Sequence, residues 1–196
     1  ARAAPASRPM RIGGPVSGTW SHLQAVLDAV KGGGLDGGLS AVGGDREGTY
    51  GLEDWSEAGL ETFVVNFNSF PTRDEWDAAL TARVASYAPD VVVSSGFMRI
   101  VSADFIAAFD GKYLNTHPAL LPAFPGAHGV RDAMAYGVKV TGCTVHWADA
   151  GVDTGPIIAQ EAVAIEPGDT EESLHERIKI VERRLLVNTL AALAAA

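Results

Sequence analysis

The feature that most constrains the fold is the alternation of short apolar runs with helical patterns from Met10 onward. Such alternation predicts an α/β domain built around a mostly parallel sheet. The clearest strand is Val91-Val92-Val93, a continuous β-branched run typical of a central strand covered on both faces. No repeat or linker divides the chain, so we expect a single domain over residues 10–196 after a flexible leader over residues 1–9.

The same patterns predict the remaining elements. Strands are expected near residues 11–16, 39–42, 62–65, 91–93, 113–115, 141–147 and 156–165, and the last two can pair antiparallel. Helices are expected near residues 21–31, 52–58, 72–88 and 103–109, and from residue 171 onward. Ser21 with Gln24 and Thr72 with Glu75 form capping boxes at two helix starts. A loop rich in proline and glycine runs from Pro118 to Gly129.

Charge and cysteine content narrow the classes of function. With 15 Lys and Arg against 24 Asp and Glu, the net charge is -9, which argues against a sequence-independent grip on nucleic acid. The single cysteine, Cys143, excludes an internal disulfide, fits a reducing cytoplasm and is expected to be an inert buried thiol. No stretch approaches the roughly 20 apolar residues that a membrane helix needs.

Ligands of an open α/β sheet bind beyond the carboxyl ends of its strands, so the segments that follow strands are the candidate sites. Residues 17–22 precede the first helix, where free amides and the helix dipole favour an anion such as phosphate. Residues 96–101 offer a mostly apolar wall that suits a flat heterocycle. The alternatives are a capped helix start without a ligand and plain core packing.

Two further segments carry polar groups suited to catalysis. Asn115 and His117 are two positions apart on a strand and can point at one reacting atom, where an amide and an imidazolium would clamp an oxyanion. A hydrogen-bonded structural histidine is the alternative. The loop over residues 149–156 carries Asp149 and Asp153, and a carboxylate near His117 would favour its protonated form. Either aspartate could instead satisfy its own turn.

A zinc site is not expected. His117, His128 and His146 with Asp149 or Asp153 supply suitable donor types, but no HxxxH or HxH spacing places two ligands on one element.

Four strings of the sequence together resemble the phosphoribosylglycinamide formyltransferases, folate-dependent enzymes of purine synthesis. They are residues 17–25, residues 96–100, the run from Leu114 to Gly126, and Asp153-Thr154-Gly155-Pro156. The resemblance is collinear from Met10 to about Leu190. It implies a Rossmann-like, three-layer formyltransferase fold with helices on both faces of a mostly parallel central sheet.

The resemblance implies transfer of a formyl group from 10-formyltetrahydrofolate to the amine of glycinamide ribonucleotide, in de novo purine biosynthesis in the cytoplasm. The implied catalytic residues are Asn115, His117 and Asp153. The implied nucleotide-binding residues are Trp20, Ser21, His22 and Glu182. The implied positions for the folate co-substrate are Arg73, Met98, Arg99, Ile100 and Val101. No metal, nucleic acid or membrane is implied, and a homodimer is compatible with the resemblance.

Two positions depart from the family pattern, which has glycine in place of Trp20 and usually asparagine in place of His22. Close backbone approach to a phosphate is the physical reason for a glycine there. The alternatives are therefore another folate-dependent formyltransferase or deformylase of the superfamily, or a catalytically silent nucleotide-binding module. A deformylase is expected to carry an extra N-terminal domain and a methionyl-tRNA formyltransferase a C-terminal one, and we expect neither here.

Overall fold

In a computed structural model, the protein is described over residues 10–16, 21–33, 37–44, 61–93, 102–149, 151 and 153–195. Seven strands lie in these residues: β1 (Met10–Val16), β2 (Gly37–Gly44), β3 (Glu61–Val64), β4 (Val91–Val93), β5 (Tyr113–His117), β6 (Val140–Trp147) and β7 (Ile157–Ala164). The helices described are α1 (Ser21–Lys31), α2 (Arg73–Ala85), α3 (Ala103–Ala108), α4 (Gly129–Tyr136) and α5 (Glu171–Ala195), with a 3-10 turn at Phe67–Ser69.

The strands form one sheet in the order β3-β2-β1-β4-β5-β6-β7. The first five strands in the chain pair in parallel, whereas β6 runs antiparallel to β5 and β7 antiparallel to β6. From β1 the chain builds outward to β3 and then returns to place β4 on the other side of β1. The strand order therefore reverses between β1 and β4, which is where ligands bind in sheets of this kind.

Helices cover both faces of this sheet. Val91 and Val93 pack with Leu186 of α5 in one core cluster, and Val92 packs with Trp76 of α2 in another. The alternation of side chains across a strand sends neighbouring residues to opposite layers, so a strand covered on both faces needs an unbroken apolar run. The predicted α/β fold, with a mostly parallel sheet and helices on both faces, is confirmed.

Helix α2 shows how the local sequence produces a helix with one buried face. The Thr72 hydroxyl accepts the backbone N–H of Glu75 at 3.2 Å, as the predicted capping box requires. Trp76, Leu80 and Val84 recur at four-residue intervals and are all buried. The indole Nε1 of Trp76 also donates to the Val65 carbonyl at 2.9 Å, so its polar atom is satisfied inside the core.

The structure corrects several predicted boundaries. Strand β5 extends two residues beyond the prediction to His117, and Ser21 is the first residue of α1 rather than the residue before it. Gly129, predicted as the end of a loop, begins the unpredicted helix α4, which buries Val130 and ends at Gly137 with φ +90°. The predicted leader and the predicted helix near residues 52–58 lie outside the described residues. Among the described helices, none is both long and apolar enough to cross a membrane.

Helix α5 provides a direct test of the core. Leu186 is fully buried, whereas Ile180 on the same helix is 59% exposed. We expect Leu186→Ala to lower the free energy of unfolding by about 2–5 kcal/mol, because it leaves a cavity between α5 and the sheet. Ile180→Ala, the matched control, should change it by less than about 0.5 kcal/mol in the same urea titration. Equal losses in the two variants would contradict this packing.

Candidate active site

Strand β5 divides its side chains between the core and the candidate site. Leu114 packs in the cluster formed with α1 and α5, so Tyr113, Asn115 and His117 lie on the opposite face. Tyr113 joins the cluster under α2 and α3. Asn115 is half-buried and His117 is 4% exposed. The predicted placement of the amide and the imidazole on one strand face is therefore found.

Both ring nitrogens of His117 face oxygen atoms that can only accept hydrogen bonds. Nε2 lies 2.7 Å from the Phe124 carbonyl oxygen, and Nδ1 lies 3.4 Å from Oδ2 of Asp153. A Cβ atom added to Gly129 would lie 3.0 Å from Nε2, so the chain packs closely on the ring at this point. An imidazolium, with a proton on each nitrogen, matches both neighbours.

The two residues that contact the His117 ring have left-handed backbone conformations. Phe124 has φ +51° and Asp153 has φ +54°. Such conformations cost about 1–3 kcal/mol in residues other than glycine and tend to occur at functional sites. The Asp153 carboxylate is also held by the Gly126 backbone N–H, which donates to Oδ2 at 2.8 Å. The two residues that place acceptor oxygens against the His117 ring therefore both have a strained backbone.

The two aspartates of the loop after β6 have different roles. Asp149 Oδ1 accepts the Thr154 hydroxyl at 2.6 Å and the Gly151 N–H at 2.9 Å, and these hydrogen bonds lower the pKa of Asp149. A Cβ atom at Gly155 would lie 1.6 Å from the Trp147 carbonyl oxygen, so the loop folds tightly against the end of β6. Asp149 therefore satisfies its own turn, and Asp153 reaches His117.

The side chain of Asn115 is oriented by its neighbour. Its Oδ1 atom accepts the Thr116 backbone N–H at 2.9 Å. Because the two ends of a carboxamide point in different directions, this bond fixes the orientation of the Nδ2 donor group as well. Asn115 can therefore supply a positioned donor next to His117.

A second buried pair joins two of the residues implied in nucleotide binding. His22, in the first turn of α1, places Nε2 3.0 Å from Oε2 of Glu182 on α5. Helix α1 follows β1, which is parallel to β4 and β5, so α1 begins at the sheet edge where β5 ends with His117. Ser21 is the first residue of α1, and Arg73 is the exposed first residue of α2.

The remaining residues implied by the resemblance, Trp20, Met98, Arg99, Ile100 and Val101, lie outside the described residues.

The model of the formyl transferase family matches residues 10–190 of the chain. The chain belongs to this formyltransferase family. It is 56% identical to the phosphoribosylglycinamide formyltransferase of Mycobacterium tuberculosis, over 97% of this chain and 87% of that relative. A solved glycinamide ribonucleotide transformylase 1 from Symbiobacterium toebii superposes with a TM-score of 0.91 at 42% identity, covering 96% of this chain and 89% of that one.

A third similar protein places the family in a longer polypeptide. The trifunctional purine biosynthetic protein adenosine-3 of Drosophila pseudoobscura is 40% identical over 94% of this chain, which spans 14% of that protein. The family resemblance inferred from the sequence is confirmed, and the protein is a formyltransferase enzyme.

Two residues at this candidate site were not indicated by the sequence as part of it. The Phe124 carbonyl that receives His117 gives no side-chain signal, since only its backbone takes part. Nε2 of His146 lies 3.7 Å from Oδ1 of Asp153, whereas the sequence indicated His146 only as a donor type suited to a metal. Its place in the strand predicted over residues 141–147 gave no signal of this contact, because the pairing of β6 with β5 is what sets His146 opposite Asn115. Within the described part of the chain, no group of three or more His, Cys, Asp or Glu residues could hold a metal ion.

Cys143, the single cysteine of the sequence, is enclosed on β6. Its side chain is fully buried, and burial, with a smaller contribution from the Glu182 and Glu161 carboxylates, raises the pKa of the thiol to about 12. The predicted burial of this thiol is confirmed, and its lack of reactivity stays a prediction.

Alkylation of Cys143 tests this environment. We expect iodoacetamide at about pH 8 to leave native Cys143 unmodified, because the reactive species is the thiolate and the thiol is shielded from the reagent. The same reagent should modify the thiol in urea-unfolded protein, as read by intact mass. Rapid modification of the native protein would contradict the described packing.

Proposed function

We propose that the protein transfers the formyl group of 10-formyltetrahydrofolate to the amine of glycinamide ribonucleotide, a step of de novo purine biosynthesis. The observation that carries this proposal is the contact between His117 and Asp153 beside Asn115, on one face of β5. The 56% identity to a phosphoribosylglycinamide formyltransferase supports the choice of acceptor. We propose that residues 10–196 form a single formyltransferase domain, which the family match over residues 10–190 supports.

Asn115 and His117 would stabilise the charge that develops when the amine attacks the formyl carbon. Preorganised donors aimed at a developing oxyanion are among the largest contributions to catalysis of acyl transfer. In the structure the Nε2 donor of His117 is bonded to the Phe124 carbonyl, so we propose that this hydrogen bond is exchanged for the formyl oxygen in the complex.

Asp153 would orient His117 and move the proton that the reaction displaces. A carboxylate beside Nδ1 stabilises the imidazolium and fixes the plane of the ring. As the bond between the amine nitrogen and the formyl carbon forms and the bond from that carbon to the folate nitrogen breaks, the amine loses one proton. Asp153 would help to carry that proton to the folate nitrogen. The folate then leaves as tetrahydrofolate.

Two groups of residues would bind the two substrates. For the nucleotide we propose Trp20, Ser21, His22 and Glu182, with the start of α1 facing the phosphate. The buried contact between His22 and Glu182 supports this assignment, because it holds two of these residues together at one end of α1. For the folate we propose Arg73, Met98, Arg99, Ile100 and Val101. We assign the reaction to the cytoplasm, which the single reduced cysteine fits.

An assay of the purified protein separates the candidate functions. The protein is mixed with 10-formyltetrahydrofolate, with and without glycinamide ribonucleotide, and release of tetrahydrofolate is followed. Release that requires the nucleotide is the expected result. Release in its absence would identify a deformylase, release with a sugar amine instead would identify another formyltransferase, and no release with any acceptor would identify a silent binding module.

Removal of either proposed oxyanion donor should slow turnover. We expect Asn115→Ala and His117→Ala each to lower kcat by roughly a hundredfold or more, the usual effect of losing one such donor. Circular dichroism and thermal unfolding of both variants serve as the folding controls. Near-normal turnover in either folded variant would refute its assignment.

Asp153 and Asp149 offer a matched comparison within one loop. Asp153→Asn removes the charge next to His117, so we expect a loss of kcat of about a hundredfold with the fold intact. Asp149→Asn keeps an oxygen that can accept from Gly151 and Thr154, so it should retain most of the activity. If Asp153→Asn unfolded the protein, or the two variants lost activity equally, Asp153 would be a structural turn residue.

A further inference from the structure

We propose that His146 is a positioning residue that holds the Asp153 carboxylate in the orientation that His117 requires. The proposal rests on the proposed function, because it assigns a role to His146 through the same carboxylate. His146 touches neither substrate in this proposal and acts through Asp153 alone.

The pairing of β5 with β6 brings His146 to the candidate site. In this antiparallel pair Asn115 is opposite His146, and His117 is opposite Thr144. Directly opposed residues of two strands project to the same face of a sheet. Asn115, His117 and His146 therefore share one face, and the loop that carries Asp153 folds back over it.

The surroundings of the His146 ring distinguish it from an ordinary core histidine. The side chain is 2% exposed, and Nδ1 lies 3.2 Å from the Trp147 carbonyl oxygen, which can only accept, so Nδ1 donates. Nε2 then lies 3.7 Å from Oδ1 of Asp153 and has no hydrogen-bond partner among the described residues. Because both facing oxygens can only accept, the protonated ring, with an N–H on each nitrogen, is the form that matches both neighbours, whereas the neutral ring would turn a lone pair toward the carboxylate.

The two oxygens of Asp153 consequently have separate partners. Oδ2 receives the Gly126 N–H and faces Nδ1 of His117, while Oδ1 faces Nε2 of His146. Rotation of the carboxylate about its Cβ–Cγ bond would exchange or lose these contacts together. The attraction between a protonated His146 ring and Oδ1, 3.7 Å from Nε2, opposes that rotation, and it thereby fixes which oxygen meets His117.

Two substitutions separate positioning from packing. In His146→Gln the amide nitrogen can occupy the place of imidazole Nε2, whereas in His146→Asn it reaches only the place of Nδ1. We expect His146→Asn to lower kcat by about ten- to a hundredfold, because small misplacements of catalytic groups have effects of that size. The KM for each substrate should stay within about threefold, since neither substrate contact is removed. His146→Gln should recover most of the lost kcat.

Two controls make the test decisive. In an Asp153→Asn background, His146→Asn should add almost no further loss, because residues that act as one unit are not additive. In protein with 15N-labelled histidine, the His117 ring resonances should move in His146→Asn and stay in place in His146→Gln. Thermal unfolding shows whether each variant is folded.

Equal activity of the Gln and Asn variants, or full additivity with Asp153→Asn, would overturn the proposal and make His146 a packing residue. An unchanged His117 spectrum in folded His146→Asn would do the same. If the wild-type protein showed no formyl transfer, the proposed function would fail, and the spectra would still decide whether His146 holds Asp153.

Discussion

The carboxylate of Asp153 connects three parts of the chain that the sequence keeps far apart. It meets His117 at the end of β5, the backbone of Gly126 in the following loop, and His146 on β6. A carboxylate is suited to this because it accepts from several directions with a single negative charge. The left-handed backbone at Asp153 is the local cost of that reach, and the surrounding fold compensates for it.

The change from parallel to antiparallel pairing at β5 makes this arrangement geometrically simple. The parallel part of the sheet supplies His22 and His117 at one edge, as in other open α/β sheets. The antiparallel partner β6 sets a histidine directly opposite Asn115. The other face of the same strands is apolar and packs on α1 and α5, so the polar groups of the candidate site and the core lie on opposite faces of these strands.

Patterns that depend on local periodicity could be predicted from the sequence. The run of three valines identified the central strand, and the Thr72 cap identified the start of α2, because both effects act within a few residues. The spacing of Asn115 and His117 identified their shared face for the same reason. Helix α4 was not predicted because it has only 8 residues, buries few of them and directly follows a proline-rich loop. The residue pattern alone left the choice between Asp149 and Asp153 open, because the choice depends on how the loop folds against β6, and only the family resemblance indicated Asp153. The Phe124 carbonyl is a backbone contact that no residue type marks.

The lack of space at Gly155 has a consequence for attempts to alter which amines the enzyme accepts. Even one methyl group there would collide with the Trp147 carbonyl and lift the whole loop from its strand. A combinatorial library that randomised this stretch would lose the members that carry a side chain at position 155, because the backbone around Asp153 would be displaced. Diversity is better introduced at outward-facing sites, with this glycine kept invariant.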